Sequence, residues 1–204
     1  MPRAEIELKF PVDDPAQLEA RLTCLGFSLV TPRTFEHNTL FDTPARTLRS
    51  SRQILRLRRY GDLWTLTHKR QPGAQDDHAS RYKTRIETET HLDDGPAMAE
   101  IFEQLGLSPV FRYEKFRTEW LAPDQPSAHV VLDETPIGTF AELEGPPAWI
   151  DRTLDALGVD SSRSITDSYG RLFLAWKDRT GSPAEDLTFD QITAPAAALE
   201  PLAR

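Results

Sequence analysis

The 204-residue chain holds one cysteine, Cys24, which excludes an internal disulfide framework and any cysteine-rich zinc site. It has no apolar run near the roughly 18 residues of a membrane span. Its opening, Met-Pro-Arg-Ala-Glu-Ile-Glu, lacks the apolar stretch of a secretory signal, so a cytoplasmic location is the expectation. It also lacks positive charge: the formal net charge is −8 and the pI about 5.2. A chain of that sign has no general basic footprint for nucleic acid or anionic membrane. The five histidines show no metal-ligand spacing, and no sequence repeat is clear.

What is present is a soluble balance of 39% apolar and 27% charged residues, enough for a real core. Basic residues bunch from Arg46 to Arg85 and again from Arg112 to Arg117. One domain is expected over 1–180. An Ala- and Pro-rich tail over 181–204 reads as loosely held. Arg70 to Ser80 reads as a mobile loop, and the prolines read as punctuation between elements.

Alternation with period two predicts strands near 3–10, 36–42, 53–60, 63–69, 82–90, 112–121, 128–134 and 139–144. Apolar spacing predicts amphipathic helices over 13–25, 96–105 and 147–157, and another from Thr166 to Lys177. The first three end in Leu-Gly plus an apolar residue, which suits a left-handed helix terminus.

The strand faces carry the functional signal. Glu5, Glu7 and Lys9 share one face, with Ile6, Leu8 and Phe10 opposite. Arg56 and Arg58 align, as do Thr65, Thr67 and Lys69. Arg85, Glu87 and Glu89 align, then Lys115, Arg117 and Glu119, then Glu142 and Glu144. These polar faces contain few Ser, Asn or Gln residues, unlike an ordinary solvated sheet. A closed antiparallel barrel resolves the pattern: the apolar faces turn outward beneath helices and the charged faces turn inward. The expected class is therefore α+β, an eight-stranded closed β-barrel with a charged lumen, flanked by helices. Packing about fifteen charges into one lumen is costly unless they are paired or serve a ligand. Guanidinium and ammonium groups beside carboxylates suit a polyanion with a divalent metal. Taken one pair at a time, salt-bridged strand faces explain the same residues without function. Asp133 is a further acidic candidate for the lumen.

These residues resemble the CYTH family within the triphosphate tunnel metalloenzymes. Glu5-Ile6-Glu7-Leu8-Lys9 resembles its N-terminal signature, and Leu40-Phe41-Asp42-Thr43-Pro44 its second block. Leu55-Arg56-Leu57-Arg58, Thr65-Leu66-Thr67-His68-Lys69 and Arg85-Ile86-Glu87-Thr88-Glu89 resemble its middle strands. Lys115-Phe116-Arg117, Val131-Leu132-Asp133, Gly138-Thr139-Phe140, Glu142-Leu143-Glu144 and Ser168-Tyr169 complete a match over about 3–175.

The resemblance implies a tunnel that binds a small-molecule triphosphate with Mg²⁺ or Mn²⁺. By matching motif, Lys9, Arg56, Arg58, Lys69, Lys115 and Arg117 would bind phosphate. Glu5, Glu7, Glu142 and Glu144 would hold metal, with Asp133 as a further ligand. Arg85, Glu87 and Glu89 would bind phosphate and a second metal, or orient the groups that do. Glu5, Glu7 and Lys69 are the candidates for the catalytic step, and removing Glu7 is expected to abolish activity with little loss of fold. Metal-dependent triphosphate hydrolysis is the leading expectation. A class IV-type adenylate cyclase and a non-catalytic polyphosphate or nucleotide binder are the alternatives. No nucleic-acid or membrane partner is expected, and the chain reads as a monomer or homodimer.

Overall fold

The structure, a computed structural model, describes residues 3–72 and 82–193. Eight strands close into a barrel: β1 (Arg3–Pro11), β2 (Ser28–Asp42), β3 (Ile54–Tyr60), β4 (Leu63–Arg70), β5 (Lys83–Leu92), β6 (Ser108–Leu121), β7 (His129–Thr135) and β8 (Gly138–Glu144). Their order around the barrel is β1-β5-β4-β3-β2-β6-β7-β8. Each pairing is antiparallel. Among the described residues five α-helices flank it: α1 (Pro15–Cys24), α2 (Thr47–Ser50), α3 (Gly95–Gln104), α4 (Pro147–Ala156) and α5 (Tyr169–Thr180). The expected α+β barrel is the observed fold.

The apolar strand faces point outward and are covered by helices. Leu8, Phe10, Val130, Leu132 and Leu143 pack with Leu18 and Leu22 of α1 and with Trp149, Ile150 and Leu154 of α4. Phe102 of α3 packs on Phe41 and Leu57. Leu172, Phe173 and Trp176 of α5 cover Tyr113, Ile137 and Phe140. Covering the outside this way leaves the inward face free to be polar.

Local sequence explains the helix ends. The Asp14 carboxylate accepts from Gln17 N at 3.0 Å, with Pro15 at the first turn. After the first helix Gly26 takes φ 82°, and Phe27 N donates to Leu22 O at 3.0 Å. The same closure recurs after α3 and α4, where Leu107 N donates to Phe102 O and Val159 N to Leu154 O.

Four expectations change. β2 begins at Ser28 and β6 at Ser108, so Pro32 and Pro109 lie inside strands. Pro32 falls in the register shift between Thr31 and Thr34, and Pro109 follows the shift at Leu40/Phe41. A ring without an N–H is tolerated where the ladder is already interrupted. Next, α2 was absent from the periodic pattern. It is organised by Asp42, whose carboxylate accepts from Thr43 N, Leu48 N and Arg49 N.

The last helix starts at Tyr169 rather than Thr166. Ser168 caps it, and Ile165 is drawn into a bridge with Lys9. Finally, the stretch expected to be loose packs as far as Ile192. Leu187 N donates to Arg112 O at 3.0 Å, and Glu114 N donates to Leu187 O at 2.9 Å. Ala184, Leu187 and Ile192 join the α5 cluster. This strap has three apolar anchors and no period, which is why periodicity passes over it. Residues 194–204, and most of the loop expected at 70–80, lie outside the described residues.

Candidate active site

The inward residues line one cavity of about 790 Å³. β1 contributes Glu5, Glu7 and Lys9; β3 contributes Arg56 and Arg58; β4 contributes Lys69. Glu87 and Glu89 come from β5, Lys115 and Arg117 from β6, and Glu142 and Glu144 from β8. Strand parity therefore delivers these expected site residues to a shared space.

Three carboxylates converge. One oxygen each from Glu5, Glu7 and Glu144 lies within 4.8 Å of the others. Barrel closure makes this happen, because Glu7 of β1 pairs directly with Glu144 of β8. Burial pushes the Glu144 carboxyl up, and the nearby Glu5, Glu142 and Glu7 add to it, to about 8. His129 Nε2 lies 3.8 Å from its Oε2. Burial also raises Glu5, but Lys69 outweighs it and the net direction is down. An oxygen-only donor set with crowded negative charge fits a hard divalent cation.

The cations are held by an inner layer of anions. Lys115 Nζ lies 2.9 Å from Asp133 and 3.4 Å from Glu36. Arg117 grips Asp133 through Nε and Nη2, both at 2.7 Å, and reaches Glu142 at 2.8 Å. Lys9 Nζ pairs with Glu142 at 2.9 Å. Lys69 pairs with Glu5 at 3.0 Å and also contacts Glu87. Arg56 donates to Tyr113 Oη and Thr67 Oγ1, each at 3.2 Å. Arg58 has a looser partner, Glu36 at 3.8 Å. Burial opposes the charge on Lys115 and Arg117, yet the surrounding carboxylates leave both above their ordinary range.

The structure sorts the seven acidic candidates. Glu5, Glu7 and Glu144 form the triad, whereas Glu142 is occupied by Lys9 and Arg117. Glu87 faces Lys69, and Glu89 accepts from Thr67 Oγ1 at 2.6 Å. Asp133 is fully buried behind the lining, and its oxygens accept from Lys115, Arg117 and the Tyr169 hydroxyl. That places it as an anchor for cations, with three donors on Oδ2 and one on Oδ1. Arg85 stands opposite Glu5 in the ladder and donates to Thr84 O at 2.9 Å, off the cavity lining.

Other residues enter that the sequence reading passed over. Glu36 and Asn38 are fully buried, and Asn38 Nδ2 donates to Glu36 Oε1 at 2.9 Å. Lys83 pairs with Glu7. Tyr113 and Tyr169 line the cavity. Lys83 and Tyr113 share parity with recognised faces and were legible. Glu36 was not, because its cationic partner Lys115 is set by the β2–β6 register.

The fold and site together make a closed β-tunnel lined by cations around an acidic triad. The CYTH domain profile matches residues 3–155, and the chain belongs to that family. It is 30% identical over 175 residues to "Putative adenylate cyclase MJ0240" of Methanocaldococcus jannaschii, covering 81% of this chain and 95% of that one. The PH1819 protein of Pyrococcus horikoshii shares the fold at TM-score 0.68 and 24% identity, over 84% of this chain and 98% of its own. HpAC1 of Hippeastrum, described as a "putative adenylyl cyclase" with a dominant triphosphatase activity, shares the fold at TM-score 0.59 and 19% identity, over 84% and 95%. No helix among the described residues is long and apolar enough to cross a membrane.

Proposed function

We propose that this protein is a divalent-metal-dependent hydrolase of a small triphosphate: inorganic tripolyphosphate, thiamine triphosphate or another organic triphosphate. One observation carries the reading. The Glu5–Glu7–Glu144 triad and six lysine and arginine side chains (Lys9, Arg56, Arg58, Lys69, Lys115 and Arg117) line the same cavity. Neither group alone suits the ligand; together they match phosphate oxygens and their counter-ion.

Glu5, Glu7 and Glu144 would hold Mg²⁺ or Mn²⁺. The bound ion supplies charge neutralisation on phosphate oxygens and a water of lowered pKa. This chain's own groups do the rest. Arg56 and Arg58 can each bind two phosphate oxygens, while Lys9 and Lys115 act as compact point charges. Asp133 and Glu142 hold Arg117 and Lys115 in place before the ligand arrives, so little reorganisation is needed. Lys69, which pairs with Glu5, would neutralise charge on the departing phosphate.

The second reading is a class IV-type adenylate cyclase. It draws on the name of the archaeal relative, and on Leu40, Ile54 and Phe111, which give the cavity an apolar stretch able to accept a nucleoside. Product identification separates the readings. Tripolyphosphate, thiamine triphosphate and ATP are each incubated with Mg²⁺, Mn²⁺ or EDTA. Metal-dependent release of orthophosphate supports hydrolysis. Cyclic AMP with pyrophosphate supports the cyclase. Binding without turnover leaves a non-catalytic binder.

A further inference from the structure

Tyr169 lies beyond the stretch matched by the family profile, at the first turn of α5, yet it reaches the tunnel. One ring serves two ammonium groups. Lys9 Nζ is 4.0 Å from its centroid and Lys115 Nζ is 5.0 Å. The hydroxyl donates to Asp133 Oδ2 at 2.6 Å, the carboxylate that also anchors Lys115 and Arg117. The ring is wedged between Tyr113 and Phe140, with centroids at 6.0 and 5.8 Å.

A π face attracts a cation through its quadrupole and brings no net charge. A carboxylate in the same place would orient the lysines but also neutralise them. Lys9 otherwise has Glu142 at 2.9 Å and the Asp167 carbonyl at 3.3 Å. The ring adds a third support without adding a second anion. Its seat is built from both sides. Ile165 N donates to Lys9 O at 2.7 Å, and the strap through Leu187 packs into the same cluster as Tyr169.

We propose that Tyr169 is a positioning residue, which holds Lys9 and Lys115 toward the substrate's phosphates while leaving their charge available. This rests on the triphosphate reading above. Its test compares Tyr169→Phe, which keeps the ring, with Tyr169→Leu, which removes it. Tripolyphosphate binding to the metal-free full chain is measured by calorimetry at low salt, and KM and kcat are measured with Mg²⁺. Tyr169→Leu is expected to weaken binding and raise KM by about five- to thirtyfold, with kcat changed far less. Tyr169→Phe should stay within about threefold of the wild type. Phe173→Leu, in the same apolar cluster with its ring beside Lys177 rather than Lys9 or Lys115, should lower Tm and leave binding unmoved.

Wild-type-like binding by a folded Tyr169→Leu protein overturns the proposal. Should that variant not fold, the lysine side-chain resonances of the wild type decide: Lys9 and Lys115 should carry ring-current shifts, and their absence overturns it equally. A wild type that binds none of tripolyphosphate, thiamine triphosphate and ATP, with Mg²⁺ or without it, overturns the functional reading and this proposal together. Unchanged binding in Tyr169→Leu alone spares the functional reading.

Discussion

Glu7 and Glu144 stand directly opposite each other on the β1–β8 ladder, with their carboxylates turned into the lumen beside Glu5. Like charges across a strand pair repel, and they do so more strongly where water is scarce. The barrel tolerates this opposition at the place where a divalent cation would be bound.

Glu144 gives the first prediction. Burial and the neighbouring carboxylates push its folded-state pKa to about 8, above the ordinary 4.5, so the folded chain holds this proton more tightly than the unfolded one. Stability from this group is therefore lost as pH rises from about 4.5 through about 8. In EDTA, Glu144→Gln should melt higher than wild type at pH 9, by about 2–4 °C for each kcal/mol relieved, and nearly equal to it at pH 5. The same variant should lose its stabilisation by Mn²⁺. Calorimetry at the two pH values checks this; an equal difference at both would contradict it.

Glu7 separates chemistry from folding less cleanly than its sequence suggests. Its partner is Lys83, four-fifths buried. Glu7→Ala leaves that ammonium without its anion, so a loss of up to about 3 kcal/mol should accompany the loss of turnover. Glu7→Gln keeps a hydrogen-bond acceptor and should lose at least about a hundredfold in turnover with a smaller stability cost. Urea unfolding beside phosphate-release rates distinguishes the two variants.

Arg56 and Arg58 are neighbours on one face with different expected consequences. Arg56 is tied to Tyr113, Thr67 and Glu89, whereas Arg58 has a long 3.8 Å ion pair to Glu36 and stands 5.8 Å from the Tyr60 ring. Arg58→Lys should raise KM for tripolyphosphate about tenfold, with Tm shifted little, because the two-pronged guanidinium is lost. Arg56→Lys should lower Tm as well. A larger Tm loss in the Arg58 variant would contradict this assignment.

Glu36 sets the acid limb. Burial raises its pKa, but Lys115, Arg117 and Arg58 drive it well below the usual carboxylate range. A depressed folded-state pKa means stability is present above the unfolded value near 4.5 and lost as pH falls. Glu36→Gln should cost about 1–3 kcal/mol at pH 7 and flatten the decline in stability below pH 5. Urea midpoints from pH 3 to 7 report both effects.

Much of this protein was legible before any fold was drawn. In Glu5-Ile6-Glu7-Leu8-Lys9 the period of two leaves no choice about which residues share a face, and charges on that face in strand after strand demand an enclosed lumen. The helix ends were equally local, since a glycine after Leu25, Leu105 or Leu157 closes its turn with bonds a few residues long. Register was not local. Nothing within β2 tells Glu36 that Lys115 lies opposite, and nothing within 182–192 shows that Leu187 will bond to Arg112 and Glu114.

The sequence by itself thus determined the barrel, its inverted polarity and most of the inward charges, because side-chain alternation is a property of a single strand. Only the tertiary structure decided which carboxylates meet. Glu5, Glu7 and Glu144 became a triad, Asp133 an anchor and Glu142 a partner to Lys9, because distances across a lumen depend on strand order, register and closure, which belong to all the strands together.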